Sequence, residues 1–218
     1  MEKDFWLERW ERDEIGFHES VANTYLTGYW HEIGLLPGAK VFVPLCGKSV
    51  DMLWLREQGY QVLGVELSRI AVQDFFRESG YQEKSRTSGK FELIEANEIC
   101  IFCGDFFDLK REDMDGVMAV YDRASMVALP PAMRELYVKH LLEILPQGTR
   151  ILLVTFDYAQ HEMAGPPFAV TPAEVGALYK DHAEIRLLLQ HDSLAENLRF
   201  KKRGLTALQE NIFLLAVK

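Results

Sequence analysis

Apolar and polar positions along this 218-residue chain follow two periods. Short, almost wholly apolar runs alternate with longer segments in which apolar residues recur every third or fourth position. The first pattern is that of strands buried on both faces, the second that of amphipathic helices. The short runs are Val41–Val43, Gln61–Val65, Ile99–Cys103, Val117–Val120 and Ile151–Phe156. The helical segments are residues 3–13, with Phe5, Trp6 and Trp10, and residues 20–34, with Tyr25, Leu26, Trp30 and Ile33. A third starts at Ser49, with Asp51 in its first turn. A fourth is capped by Ser68 and stopped by Gly80, and a fifth runs from Pro130-Pro131 to about residue 145. Thr171-Pro172-Ala173-Glu174 reads as a capping box opening a sixth, to about residue 181.

Residues 81–90 are polar and read as an exposed loop. Phe91–Glu95 alternates like an edge strand before turning into Ile99–Cys103. Residues 184–191 and 210–217 are the last strands, joined by an irregular stretch carrying Arg199, Lys201, Lys202 and Arg203. Buried strands alternating with helices predict an α/β fold: a mostly parallel sheet with helices on both faces. Without a long crossover helix, the final two strands should pair antiparallel. No linker or repeat divides the chain, so residues 1–218 read as a single domain.

Composition narrows the partners. The formal net charge is −9, which disfavours nucleic acid and anionic membrane, since both require a basic face. No apolar run is long enough for a membrane-spanning helix, and the N-terminus has no secretory h-region. Three cysteines, an odd number, suit a reducing, cytoplasmic setting. Cys100-Ile101-Phe102-Cys103 matches C-x-x-C, but strand positions three apart face opposite ways, which predicts buried, inert thiols. No metal site is expected, because no second metal-ligand pair accompanies it.

In an open doubly wound sheet the ligand sits at the carboxyl ends of the strands. Those ends carry Leu45-Cys46-Gly47, Glu66, Gly104-Asp105, Asp122-Arg123 and Asp157. Glu66 stands at the second strand end, about 20 residues past the glycine turn, where a carboxylate accepts from ribose hydroxyls. The turn holds one glycine, Gly47, so the G-x-G-x-x-G that cradles a pyrophosphate is absent. Gly47-Lys48-Ser49 resembles the end of a P-loop, but Phe42 stands where that motif needs glycine. A nucleoside without phosphates remains, which points to S-adenosylmethionine.

Val41–Ser49, Gly64-Val65-Glu66, Tyr121-Asp122-Arg123-Ala124, Gly165-Pro166-Pro167-Phe168 and the N-terminal Trp6, Trp10 and Ile15–His18 occur in this order. Together they resemble the thiopurine S-methyltransferase family in its bacterial form. The resemblance implies a class I methyltransferase (Rossmann-like) sheet of seven strands, the last antiparallel, with residues 1–36 covering the active site. It also implies S-adenosylmethionine as donor. On the donor side it implies that Trp10 packs over the donor, that Leu45 and Gly47 lie along it, and that Glu66 holds its ribose. Arg123 would stand at the boundary between donor and acceptor. On the acceptor side it implies a second arginine, Arg199, an aromatic lining residue, Phe17, and a wall made by Pro166, Pro167 and Phe168.

The expected reaction is in-line displacement, a thiolate attacking the sulfonium methyl and S-adenosylhomocysteine leaving. Arg123 keeps its proton at neutral pH, so its role is to favour the anionic acceptor rather than to act as base. Three alternatives stand beside this one. They are methylation of selenium or tellurium oxyanions or another soft nucleophile, a nicotinamide-dependent oxidoreductase, and a non-catalytic adenosyl-binding module. The expected partner is a small molecule, with the protein acting as a monomer.

Overall fold

The structure, a computed structural model, describes residues 3–16 and 18–218. Its helices are α1 (Lys3–Glu11), α2 (Thr24–Tyr29), α3 (Asp51–Glu57), α4 (Arg69–Ser79), α5 (Pro131–Ile144), α6 (Pro172–Tyr179) and α7 (Leu198–Lys202). Its strands are β1 (Lys40–Val43), β2 (Gln61–Glu66), β3 (Lys84–Ser88), β4 (Phe91–Ala96), β5 (Ile99–Cys103), β6 (Val117–Asp122), β7 (Arg150–Asp157), β8 (Ala183–Asp192) and β9 (Gln209–Val217). They form one nine-stranded sheet in the order β3-β4-β5-β2-β1-β6-β7-β9-β8.

The five apolar runs are the parallel centre, β5-β2-β1-β6-β7. The last strand, β9, is antiparallel to both β7 and β8, as expected. The expected count of seven is exceeded by the hairpin β3–β4, which extends the sheet beyond β5. β3 is the segment read as a loop. Lys84, Ser85, Arg86 and Thr87 are exposed, so main-chain pairing to β4 holds it, and no apolar face marks it in the sequence. β4 is consequently an interior strand rather than an edge, with Phe91, Leu93 and Ile94 buried.

Strand periodicity distributes the core over both faces. Val41, Val43 and Val62 pack with Leu26 of α2, Met52 and Leu55 of α3, and Phe75 and Phe76 of α4. Phe42, Leu63 and Val65 pack on the other face with Tyr137 and Leu141 of α5 and Val175 and Tyr179 of α6. Each such side chain contributes roughly 1.5–3 kcal/mol when taken fully out of water. Strand order reverses at β1: β2 and β5 lie on one side, β6 and β7 on the other. The crevice above β1 and β6 is the switch point where this architecture binds ligands.

Some local readings change. The helix expected over 20–34 is α2 followed by a 3₁₀ turn, Trp30–Ile33, which Gly34 ends in the left-handed region. Asn23, rather than residue 20, starts it, because its side chain accepts from Tyr25 N and Leu26 N at 3.0 and 3.4 Å. Ser49 is not the N-cap: Val50 holds that position with no side-chain cap bond, and Ser49 Oγ, one residue ahead, accepts from Asp51 N at 3.2 Å. The capping box at Thr171 is half made. Thr171 Oγ1 accepts from Glu174 N, while the Glu174 carboxylate pairs with Arg134 Nε at 3.0 Å. The basic stretch before β9 contains the short helix α7.

Candidate active site

The turns after β1 and β6 form the floor of the crevice. Leu45 (φ 45°), Gly47 (φ 53°) and Ala124 (φ 65°) all take left-handed backbone. For a side chain with a Cβ this costs about 1–2 kcal/mol, and such strain clusters at sites the fold must hold open. Ser125 Oγ ties the two turns together by donating to Pro44 O at 2.6 Å, and Cys46 N anchors the β1 turn to β2 by donating to Val65 O at 2.9 Å. Gly47 is needed on a second count, since a Cβ there would lie 3.2 Å from Trp10 Cζ2. The indole of Trp10 therefore roofs the glycine turn.

A cavity of about 750 Å³ opens above these turns. It gathers Trp10, Leu45, Gly47, Glu66, Arg123, Pro167 and Arg199 around one space, together with Pro166, Trp6 and His18. Those predicted residues come from α1, three strand ends, the Pro166-Pro167 turn and the short helix α7. Phe168 is not among the lining residues. Its ring lies against Gly165, where a Cβ would come within 2.5 Å of it, and its N–H donates to Val127 O at 2.7 Å. It buttresses the Pro-Pro turn from behind. Phe17 falls outside the described residues.

Glu66 is buried at 7% exposure. Its Oε2 accepts from Gly47 N at 2.9 Å and its Oε1 from Ser68 N at 2.7 Å. Burial raises its pKa, partly offset by those backbone donors. A carboxylate has about four lone-pair sites, so two acceptor positions remain for a diol. Near the far end of α1, Lys3 pairs with Asp105, the acid after β5.

Arg123 stands on the cavity wall with its side chain 16% exposed. It pairs with Glu19 and stands 3.7 Å from Asp51 Oδ2. Burial by itself lowers its pKa, but Tyr121, Asp51 and Glu19 together more than reverse that, so the guanidinium stays charged. Arg199 stacks on the Phe200 ring, 5.0 Å from its centroid. Burial lowers its pKa, and the positive charges of Arg203 and Arg123 add to this. Two arginines, Arg123 and Arg199, thus share the cavity wall with the carboxylate of Glu19.

Other acids behave differently from the list of strand ends. Asp122 turns into the core, accepting from Tyr137 O–H at 2.7 Å and Met126 N at 3.2 Å. Burial raises its pKa to about 6. Asp157 is not a lining residue either. The cavity lining also includes residues outside the predicted set, among them His18, Glu19 and Glu210. Glu19 sits in an irregular segment with no pattern to find it by; His18 closes the Ile15–His18 run, and burial lowers its pKa. Glu210 did carry a signal, a lone carboxylate opening the apolar run of β9; it is 8% exposed and accepts from Asn197 Nδ2 at 2.9 Å. Cys100 and Cys103 are half-buried rather than buried; they pack on opposite faces, and burial lifts both thiols to about 11.

A parallel α/β sheet with an antiparallel last strand, a one-glycine turn at the switch point and an acid at the second strand end define a class I S-adenosylmethionine-dependent methyltransferase. Solved structures share the architecture. The 1,6-didemethyltoxoflavin-N1-methyltransferase of Burkholderia thailandensis superposes with a TM-score of 0.64 at 14% identity, over 99% of this chain and 87% of that one. That structure holds 1,6-didemethyltoxoflavin and S-adenosylhomocysteine. A methyltransferase from Methanosarcina mazei gives 0.60 at 14% identity, over 87% and 97%. The sequence match is much closer. The thiopurine S-methyltransferase family model spans residues 1–218. The thiopurine S-methyltransferase of Nitrosospira multiformis is 57% identical over 218 residues, covering 100% of this chain and 99% of its own. That of Azotobacter vinelandii is 48% identical over 215 residues, covering 99% of each. The chain belongs to the thiopurine S-methyltransferase family.

Proposed function

We propose that this enzyme methylates the sulfur of heteroaromatic thiols of the thiopurine kind, with Arg123 pairing with the acceptor anion. The observation that carries this reading is a buried, charged guanidinium on a cavity wall, next to a left-handed strand-end turn and across from Glu66 and Gly47. S-adenosylmethionine, the donor of this family, supplies an electrophilic sulfonium methyl. The residues present fit it: Glu66 keeps acceptor capacity for ribose hydroxyls, Gly47 and Leu45 offer a close backbone surface, and Trp10 covers that surface.

The chain's own groups then act by placement. Trp6 and Trp10 of α1 and the Pro166-Pro167 turn exclude water from the acceptor. Arg123 favours the anionic acceptor by charge pairing, which lowers the acceptor's pKa. Holding nucleophile and methyl in line can be worth ~7–11 kcal/mol in favourable cases. Arg199 adds positive potential, and α1 covers the site through Trp6 and Trp10. Membership of this family sets aside the oxidoreductase and non-catalytic alternatives.

Among the described residues no helix is long and apolar enough to cross a membrane, and Cys46, Cys100 and Cys103 are free thiols. The free thiols fit a reducing compartment, and the enzyme is read as cytoplasmic, a single-domain monomer built on one continuous sheet. The test is Arg123→Ala, assayed with a thiopurine and in parallel with selenite. Acceptor KM should rise, and the pH of half-maximal activity should move upward. An unchanged acceptor KM and pH profile would remove Arg123 from this role, and faster turnover of selenite than of the thiopurine would reassign the acceptor.

A further inference from the structure

Arg123 carries two carboxylates, and they differ in kind. Asp51 is buried at 1% exposure and fixed, since its Oδ1 accepts from Asn23 N at 2.7 Å. Its Oδ2, 3.7 Å from Arg123 Nη1, makes no hydrogen bond. This is a permanent counter-ion set into the start of α3. Glu19 is 48% exposed and belongs to the connection between α1 and α2, held by no regular element. Its Oε1 takes the other terminal nitrogen, Nη2. The same connection passes Arg199, where a Cβ on Gly16 would lie 3.6 Å from Arg199 Nη1. Glu19 also acts electrostatically on Arg199.

We infer that Glu19 is a specificity-determining residue: its carboxylate occupies the cavity-side anion seat of Arg123, so an acceptor must displace it to pair with that arginine. The inference rests on the acceptor-binding role proposed above for Arg123. Asp51 already balances the guanidinium, so Glu19 is not required as its counter-ion. A guanidinium offers five N–H donors in a fixed fork, and a planar anion takes the outward pair. Glu19 presents such an anion from within the chain. Every anionic acceptor therefore competes with a tethered carboxylate, whereas a neutral ligand of the same shape, which does not need the arginine, does not. The effect is to compress the preference of the site for anions over neutral sulfur compounds.

The experiment compares thiophenolate at pH 8 with thioanisole, its neutral S-methyl counterpart, binding to the wild type and Glu19→Gln, each saturated with S-adenosylhomocysteine. With the Glu19 carboxylate removed from the arginine, thiophenolate should bind about threefold to tenfold more tightly to Glu19→Gln. Thioanisole should bind both proteins alike. S-adenosylhomocysteine affinity reports that the variant is folded, and Glu19→Ser repeats the comparison with a shorter side chain. Unchanged or weaker thiophenolate binding in both variants, or equal tightening of both ligands, overturns the inference. A wild type that neither binds thiophenolate nor methylates it with S-adenosylmethionine fails at the earlier step and overturns the acceptor role of Arg123 with it.

Discussion

Replacing Glu66 by glutamine separates its two proposed duties. In the ligand-free protein its two oxygens accept from different backbone donors, Gly47 N at 2.9 Å and Ser68 N at 2.7 Å. Glutamine offers one oxygen and one NH2 group, so one of those N–H groups must face another donor. An unsatisfied buried donor costs about 1–3 kcal/mol. The variant also loses a charge whose burial is unfavourable, as the raised pKa of Glu66 shows. The net folding cost should therefore fall at the low end, about 1 kcal/mol. Donor binding should suffer more. A hydrogen bond to a charged group is worth about 1.5–3 kcal/mol against about 0.5–1.5 for a neutral pair. Two ribose hydroxyls then lose about 2 kcal/mol together, roughly thirtyfold in Kd. Calorimetric titration with S-adenosylhomocysteine reads the second quantity, and urea unfolding of the free protein reads the first. A variant that unfolds about 1 kcal/mol more easily yet binds S-adenosylhomocysteine like the wild type would refute the ribose assignment and leave Glu66 as a tether for the β1 turn.

Tyr137→Phe removes the O–H that stabilises the Asp122 carboxylate. Asp122 has a folded pKa raised from 3.8 to about 6, so its stabilising share is complete below about pH 4 and lost as pH rises through 6. Removing Tyr137 O–H raises that pKa further, and the deficit of the variant should widen with pH, from about 0.5–1.5 kcal/mol at pH 4.5 to about 1.5–3 at pH 8; urea unfolding giving the same deficit at both pH values would contradict the charge-assisted bond. Arg134→Ala should cost about 3 kcal/mol, because it leaves the Glu174 carboxylate and the Ala169 carbonyl unpaired. Since Ala169 follows the Pro166-Pro167 turn, acceptor KM should rise with donor affinity unchanged, and the reverse split would place Arg134 in the donor half.

Part of the proposed donor half can be grouped from the chain alone because it is local. Leu45, Gly47 and Glu66 belong to one β-turn-α-β segment, and both their spacing and the single glycine have direct consequences for what the turn can hold. The acceptor half was legible only through resemblance. Arg123, Pro167 and Arg199 come from separate strand ends and loops, and periodicity says nothing of which loops fold over which strand. Phe168 shows the limit of reading a run as a unit: its neighbours Pro166 and Pro167 line the cavity, while its own ring packs behind them against Gly165. Asp122 shows the same at single-residue scale. The strand-end position was right, but strand alternation turned the side chain inward to Tyr137.

By itself the sequence determined the alternation of buried strands and helices, the antiparallel final pair, and a nucleoside rather than pyrophosphate turn. Each depends on period, on β-branched and apolar content, or on glycine count, all local properties of the chain. Tertiary structure alone decided that residues 84–88 form a strand, because both faces are polar and only pairing with β4 stabilises it. It alone decided that Glu19, in an irregular connection, meets Arg123 across 104 residues of chain. A contact of that kind depends on how the N-terminal segment packs over the strand ends, and no local pattern in either segment encodes it.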